Sequence, residues 1–304
     1  MAGSILVTGR TGQLAAALAD TASAHGLTLQ FLERPILDIE RPASIAQVFS
    51  ANSPSLVINA AAYTNVDAAE DDAAAAYRAN RDGPAELAKL CAAAGIPLIH
   101  ISTDYVFDGR KGAPYVESDF TAPQGVYGAS KLAGECAVLT LCSRAVVLRT
   151  AWLYSPTGKN FVRTMLAAGE RNGNLRVVAD QIGCPTSAQD LARVVLGIAG
   201  QLCDGWNDRC AGIYHAAGAG AATWHELATA TFAAATRHGR RAPCVEPITT
   251  REWPTRAVRP PDSRLDCSRL AAVFGLRLPA WRESVVHAVD TILSECDRPV
   301  RPKP

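Results

Sequence analysis

The stretch "SILVTGRTGQLAAALAD", Ser4 to Asp20, decides the fold. Apolar and β-prone residues run into a glycine turn, and the turn runs into an alanine-rich helix. The dinucleotide fingerprint asks for three glycines, and here Gly9 and Gly12 are followed at the third place by Ala15. A strand, a glycine turn and a helix are common by themselves, so the match gains meaning only inside a βαβ unit.

Working outward, that context is present. Short apolar runs recur: "LTLQFLE" from 27, "SLVINAAA" from 55, "PLIHISTD" from 97 and "AVVLRTAW" from 145. Their residues are apolar consecutively rather than alternately, as suits strands covered on both faces. Between them, residues 12–24, 41–52, 67–94 and 126–142 are rich in alanine, leucine and charge and read as helices. Alternating β and α predicts an α/β fold, a doubly wound parallel sheet of Rossmann type. Residues 1–152 are expected to form the dinucleotide-binding domain and 153–304 mainly a smaller substrate-binding domain. The strand-like "LRVVAD" at 175 and a helix from 188 are expected to return to the sheet. The proline- and arginine-rich "TTREWPTRAVRPPDSRLD" reads as a shaped surface over a ligand cleft, and the chain from about 297 as a disordered tail.

Composition narrows the function. Thirty lysines and arginines balance 29 acids, a net charge of +1, so bulk electrostatics call for neither nucleic acid nor an anionic membrane. Nine cysteines without a Cys-x-x-Cys pair read as reduced thiols, and the six histidines have no metal-ligand spacing, so no metal site is expected. The N-terminus enters a strand with no basic region and apolar run before it, and no apolar run reaches the roughly 20 residues that span a bilayer. The expectation is a soluble cytoplasmic protein.

Within a βαβ unit, Gly9 takes the tight turn, and Gly12 lets the backbone approach a pyrophosphate resting on the positive helix N-terminus. Ala15 is the smallest replacement at the helix-packing position. At the end of the second strand Glu33 suits a ribose 2′-hydroxyl, as in NADH, while Arg34 and Arg10 suit the 2′-phosphate of NADPH. Tolerance of both cofactors is expected.

In "VYGASKLAGE", Tyr127 and Lys131 lie four apart on one helix face. A phenol titrates near 10 (roughly), and a nearby ammonium is expected to lower that value toward a range useful for proton transfer. In "HISTDYVFDG", Ser102, Thr103 and Asp104 fall at the C-terminal end of a strand, where open α/β sheets bind ligands, so Thr103 can hydrogen-bond a substrate oxygen.

These motifs, together with "LDI" at 37, "VINAAAYTNVDAAE", "LRTAWLY", "GKNFVRTML", "DQIGCPTSAQDLA", "YHAAGAGAATWHE" and "RPPDSRLD", span residues 4 to about 283. By them the chain resembles the extended short-chain dehydrogenase/reductase superfamily and, within it, the dTDP-4-dehydrorhamnose reductase family. The resemblance implies reduction of the C4 ketone of dTDP-4-dehydro-L-rhamnose by NADPH or NADH, with Tyr127 as proton donor. It implies that Lys131 binds the nicotinamide ribose and tunes the tyrosine, and that Thr103 polarises the ketone. Gly12, Gln13 and Leu14 would line the pyrophosphate, Asp38 and Ile39 the adenine side, and Ala62, Tyr63 and Thr64 the nicotinamide half. Asp104 and Trp152 would contact the deoxysugar, and Arg259 the substrate diphosphate.

The chain also departs from the family. Some relatives dimerise around magnesium held by carboxylates, and the matching positions here are Ala17 and Gln189. A monomer or weak homodimer is therefore expected. Tyr63 stands where many relatives carry histidine. Two other readings stay open: a reductase or epimerase of a different nucleotide-linked ketosugar, and a non-catalytic NADP-holding subunit like the regulatory subunit of methionine adenosyltransferase.

Overall fold

A computed structural model describes residues 4–296. Its central sheet comprises β1 (Ile5–Thr8), β2 (Leu29–Leu32), β3 (Leu56–Asn59), β4 (Leu98–Thr103), β5 (Ala145–Thr150) and β6 (Gly212–His215). They are ordered β6-β5-β4-β3-β1-β2, and every pairing is parallel. The longer helices are α1 (Gln13–Thr21), α2 (Pro42–Asn52), α3 (Gly83–Ala94), α4 (Val126–Leu141), α5 (Phe161–Arg171), α6 (Ala188–Asp204), α7 (Trp224–Thr236) and α8 (Trp281–Cys296).

The consecutive apolar residues of the strands have a plain cause. Ile5, Val7, Leu56, Ile58 and Ile99 point to one face, where they meet Leu14 and Leu18 of α1 and Leu191, Val195 and Ile198 of α6. The intervening Leu6, Val57 and Leu98 point to the other, against Val48 of α2, Leu87 and Cys91 of α3 and Val138 of α4. Side chains alternate faces along a strand, so covering both faces requires apolar residues at every position.

Two expectations about the chain's course are corrected. Asn174–Val178, the strand expected to rejoin the sheet, pairs instead in parallel with Cys244–Ile248, because β6 occupies the edge beside β5. Helix α6 does pack on the sheet, and β6 was not read from the sequence. The helix expected over 67–94 is broken into Val66–Ala69, Ala73–Tyr77, a π-helical turn Arg78–Asp82 and α3. Asn65 and Asp72 each accept a backbone N–H, from Ala68 and Ala75, so that Asn65 starts the first helix and Asp72 restarts it after the break. The tail expected from about 297 lies outside the described residues. A third apolar cluster, with Val162 of α5, Leu227 of α7 and Val285 and Val289 of α8, supports the segments that close over the C-terminal edge of the sheet.

The π-helical turn positions Asn80. Its buried amide accepts from Tyr63 N–H (2.9 Å) and donates to Tyr63 C=O (3.0 Å) and Ser130 Oγ (2.9 Å), tying the loop after β3 to α4. This needs α4 close by, and Gly134 permits it: a Cβ there would stand 2.0 Å from the Asn80 carbonyl oxygen. Gly134→Ala is therefore expected to destabilise the protein by about 2 kcal/mol or more through overpacking. Urea denaturation checks this, and an unchanged midpoint would mean the two segments part at no cost.

Candidate active site

Because β1 pairs with β2 on one side and β3 on the other, successive connections leave β1 in opposite directions, and a crevice opens at the C-terminal ends of these strands. A cleft of about 1090 Å³ lies there. Gly9, at φ +81°, makes the turn into α1, a conformation that side chains disfavour, and faces Ala61 across the crevice. Gly12 caps α1 in an extended conformation, and a Cβ on it would meet no protein atom within 4 Å. Helix α1 has no acidic residue in its first turn and no side-chain cap. Its free N–H groups therefore face the cleft as a diphosphate cradle of the kind a dinucleotide needs.

The cleft gathers most of the residues singled out in the sequence. At the cradle lie Gly9, Arg10, Gly12, Gln13 and Leu14; at the end of β2 lie Glu33, Arg34 and Ile39; after β3 lie Ala62, Tyr63 and Thr64. Thr103, Asp104, Tyr127, Lys131 and Trp152 line the other end. Asp38 and Arg259 are not in the lining. Asp38 is turned to its own loop, accepting from Arg34 Nε (2.9 Å) and from Glu40 N–H (3.1 Å). The Arg259 guanidinium donates to Asp67 (2.7 Å) and lies 5.9 Å from the Tyr105 ring centre. Trp224 and Lys159 complete the wall; both lie within quoted motifs, "YHAAGAGAATWHE" and "GKNFVRTML", but were given no role, because nothing in those stretches says which distant segment they face.

Lys131 is 2% exposed, and its Nζ donates to Ile101 C=O (2.6 Å), which leaves two N–H donors for the cleft. Burial lowers its pKa to about 8, with Glu135 opposing the shift. Tyr127 is pushed the other way, to about 12, first by burial and then by Asp104, with the Thr103 hydroxyl partly offsetting. The sequence expectation that Lys131 lowers the tyrosine is thus corrected: burial raises Tyr127, and the group that lowers it is the Thr103 hydroxyl rather than the ammonium. At neutral pH the phenol holds its proton, and the site is set to donate one.

Thr103 has more to do than expected. Its Oγ1 donates to Asp104 Oδ1 (3.1 Å) and accepts from Tyr105 N–H (3.2 Å). Burial raises Asp104 to about 7. Behind them, Thr8 Oγ1 donates to Asn59 Oδ1 (2.6 Å), and the Asn59 amide meets His100 Nδ1 (2.9 Å), tying β1, β3 and β4 together under the cleft floor. Burial holds His100 far below the usual imidazole value, so this ring stays neutral.

Trp152 has φ +46°, uncommon for a bulky residue and a strain of order 1–3 kcal/mol. Its ring lies against Gly183 and stacks on Trp224 with centroids 3.6 Å apart and planes 4° from parallel; Phe161 packs behind at 4.7 Å. Trp224 Nε1 donates to Gln181 (3.1 Å), which fixes the pair in plane.

The family model described as "RmlD substrate binding domain" matches residues 3–294. A dTDP-4-dehydrorhamnose reductase of Sinorhizobium fredii is 42% identical over 291 residues, 96% of this chain and 98% of that protein. The crystal structure of a dTDP-4-dehydrorhamnose reductase from Clostridium acetobutylicum superposes with a TM-score of 0.88 at 36% identity, covering 95% of this chain and 99% of the other. One from Bacillus anthracis, solved in complex with NADP, superposes with a TM-score of 0.87 at 33% identity and the same coverage.

At the β2 end of the cleft Arg34 is engaged by two carboxylates, Asp38 and Glu40, and Glu40 also receives Arg78 (3.4 Å). A 2′-phosphate must compete with them for Arg34. Glu40→Gln is expected to shift the ratio of NADPH to NADH dissociation constants about tenfold toward NADPH, the worth of one charge-assisted hydrogen bond. Titration of cofactor fluorescence measures both constants; a ratio that does not move takes Arg34 out of 2′-phosphate recognition.

Proposed function

The chain belongs to the family of the RmlD substrate binding domain, and on that footing we propose that it reduces the C4 ketone of dTDP-4-dehydro-L-rhamnose with NADPH or NADH, giving dTDP-L-rhamnose. The observation that carries this reading is the meeting of Thr103, Tyr127 and Lys131 on one wall of a cleft whose far end is the glycine cradle of α1.

The residues fit a nicotinamide dinucleotide. Buried Gln13 Oε1 and Thr150 Oγ1, both in the lining, have no protein partner, and the α1 amides are free for phosphate oxygens. Arg10, Gly12, Gln13 and Leu14 would hold the diphosphate, Glu33, Arg34 and Ile39 the adenosine, and Ala62, Tyr63, Thr64 and Lys131 the nicotinamide riboside. The bound cofactor supplies the hydride for the ketone carbon.

The chain's own residues manage the proton. Tyr127, neutral at physiological pH, donates from Oη to the oxygen that becomes an alkoxide at C4, a stronger base than phenolate. Lys131, charged below about pH 8, steadies the phenolate left behind and uses its free donors on the ribose hydroxyls. Thr103 turns its hydroxyl from Asp104 to the ketone oxygen, and Asp104 is released to accept from a sugar hydroxyl. The stacked Trp152 and Trp224 hold the apolar face of the deoxysugar and exclude water. Arg259 serves the substrate diphosphate at the rim once it exchanges Asp67 for phosphate oxygens. Free thiols support a cytoplasmic enzyme and balanced charge the absence of a nucleic-acid partner, while Ala17 and Gln189, in place of metal-bridging carboxylates, support a monomer or weak homodimer.

Loss of NADPH or NADH absorbance with enzymatically prepared dTDP-4-dehydro-L-rhamnose, with the product identified by NMR, tests the reaction. Tyr127→Phe is expected to lower kcat by ~10²–10⁴, the usual worth of a placed general acid, while cofactor affinity stays within a few-fold. Unchanged turnover would remove Tyr127 as the donor. Oxidation that yields a sugar other than dTDP-L-rhamnose would keep the reductase and replace its substrate.

A further inference from the structure

Behind the cleft wall, one turn along α4 from Lys131, lies a charged cluster that the proposed chemistry does not use. Glu135 is 1% exposed and Arg149, on β5, is 2% exposed. Arg149 reaches Glu135 with a fork, Nε at 2.9 Å from Oε1 and Nη2 at 2.7 Å from Oε2. Ser102 Oγ adds a third donor to Oε1 at 2.5 Å. The far side of the guanidinium lies 5.0 Å from the Phe107 ring centre, and Phe107 is in turn stacked on Tyr115.

A buried ion pair is weak evidence for stability, since the desolvation of both partners offsets their attraction. Its placement points elsewhere. Ser102 and Arg149 face each other in the register of β4 and β5, and Ile101, the residue before Ser102, accepts the bond from Lys131 Nζ. One carboxylate thus sits on the same helix as Lys131, at the next turn, and is bonded to the strand that holds the ammonium. We infer that Glu135, clamped by Arg149 and Ser102, is a positioning residue that keeps Lys131 charged and aimed into the cleft despite its burial.

The other groups around Lys131 cannot take that part. His100, from β4, is neutral and, if anything, opposes a nearby positive charge. Tyr127, on the same helix, carries no charge at neutral pH. Asp104, after β4, is held near its own titration point by burial and is turned to Thr103. Asn80 and Ser130, which bridge α4 to the loop after β3, are uncharged. Arg149 is positive and by itself opposes the ammonium, so its service to Lys131 is to fix the direction of the carboxylate. Among the described residues Glu135 is accordingly the charge that supports the ammonium. The fork of an arginine suits this duty better than a lysine, since it pins both oxygens and so the direction of the carboxylate.

This inference rests on the proposed role of Lys131 toward the nicotinamide ribose, and its test is chosen to separate the two. Dissociation constants of NADH and NADPH are measured by fluorescence from pH 6 to 10 for the wild type, Lys131→Met, Glu135→Asp, Glu135→Gln and the paired variant Glu135→Leu/Arg149→Met. The paired variant leaves no unpartnered charge in the core and stands in where Glu135→Gln strands Arg149 and does not fold. In the wild type, affinity falls as pH rises through about 8, where Lys131 loses its proton. Lys131→Met abolishes this alkaline limb. In Glu135→Gln or the paired variant the limb moves at least one pH unit lower, so that affinity at pH 8 drops about fivefold or more while affinity at pH 6 is kept. Glu135→Asp, which retains the charge, restores the wild-type midpoint to within a few tenths. A folded charge-free variant with the wild-type midpoint overturns the inference and leaves Glu135 a structural residue. Absence of cofactor binding by the wild type, or an alkaline limb that survives Lys131→Met, overturns the reading of Lys131 itself.

Discussion

Parallel pairing of β1 with β2 on one side and β3 on the other is the constraint on which the rest of the molecule depends. It sends the chain first outward and then back, and the gap left where those paths diverge gives a long ligand room against the sheet's C-terminal edge. The cost is that strands in such a sheet lose solvent on both faces. The protein meets this with two apolar layers and with hydrogen bonds among the polar groups beneath the crevice: Thr8 to Asn59, Asn59 to His100, Asn80 to the Tyr63 backbone and to Ser130. The cleft floor is therefore rigid before any ligand arrives, as a site for oriented hydride and proton transfer needs to be.

Burial also sets the acid–base character of the site. A lysine and a tyrosine on one helix face form a familiar spacing, and by spacing alone the ammonium should draw the phenol downward. In the folded chain low polarisability acts on both groups in opposite senses, keeping the phenol protonated and weakening the hold of the lysine on its charge. For a reduction this is the useful direction, since the proton must be present on the donor when negative charge builds on the substrate oxygen.

Much of this was legible in the residues. The glycine turn, the β-α alternation and the Tyr-x-x-x-Lys helix are local patterns, and local patterns survive folding because a single element carries them. Asp38 shows the limit: the motif places it next to the adenosine, but two neighbours in its own loop capture the carboxylate. Trp224, β6 and the partnership of Glu135 with Arg149 were invisible for a different reason. Each depends on which distant segments the sheet order brings side by side, and no spacing within one element encodes that. The strand at 174–178 was misassigned on the same account, since its apolar run marks it as a strand without saying which edge it joins.

The stacked indoles have a consequence for how the molecule can be observed. Two of the five tryptophans lie face to face at 3.6 Å, nearly parallel, at the wall of the cleft. Transition dipoles so close couple, and the couplet they give in near-ultraviolet circular dichroism depends on their mutual angle and separation. The protein thus carries a built-in optical gauge in the wall of its cleft, one that reads the opening or twisting of that wall directly and needs no label.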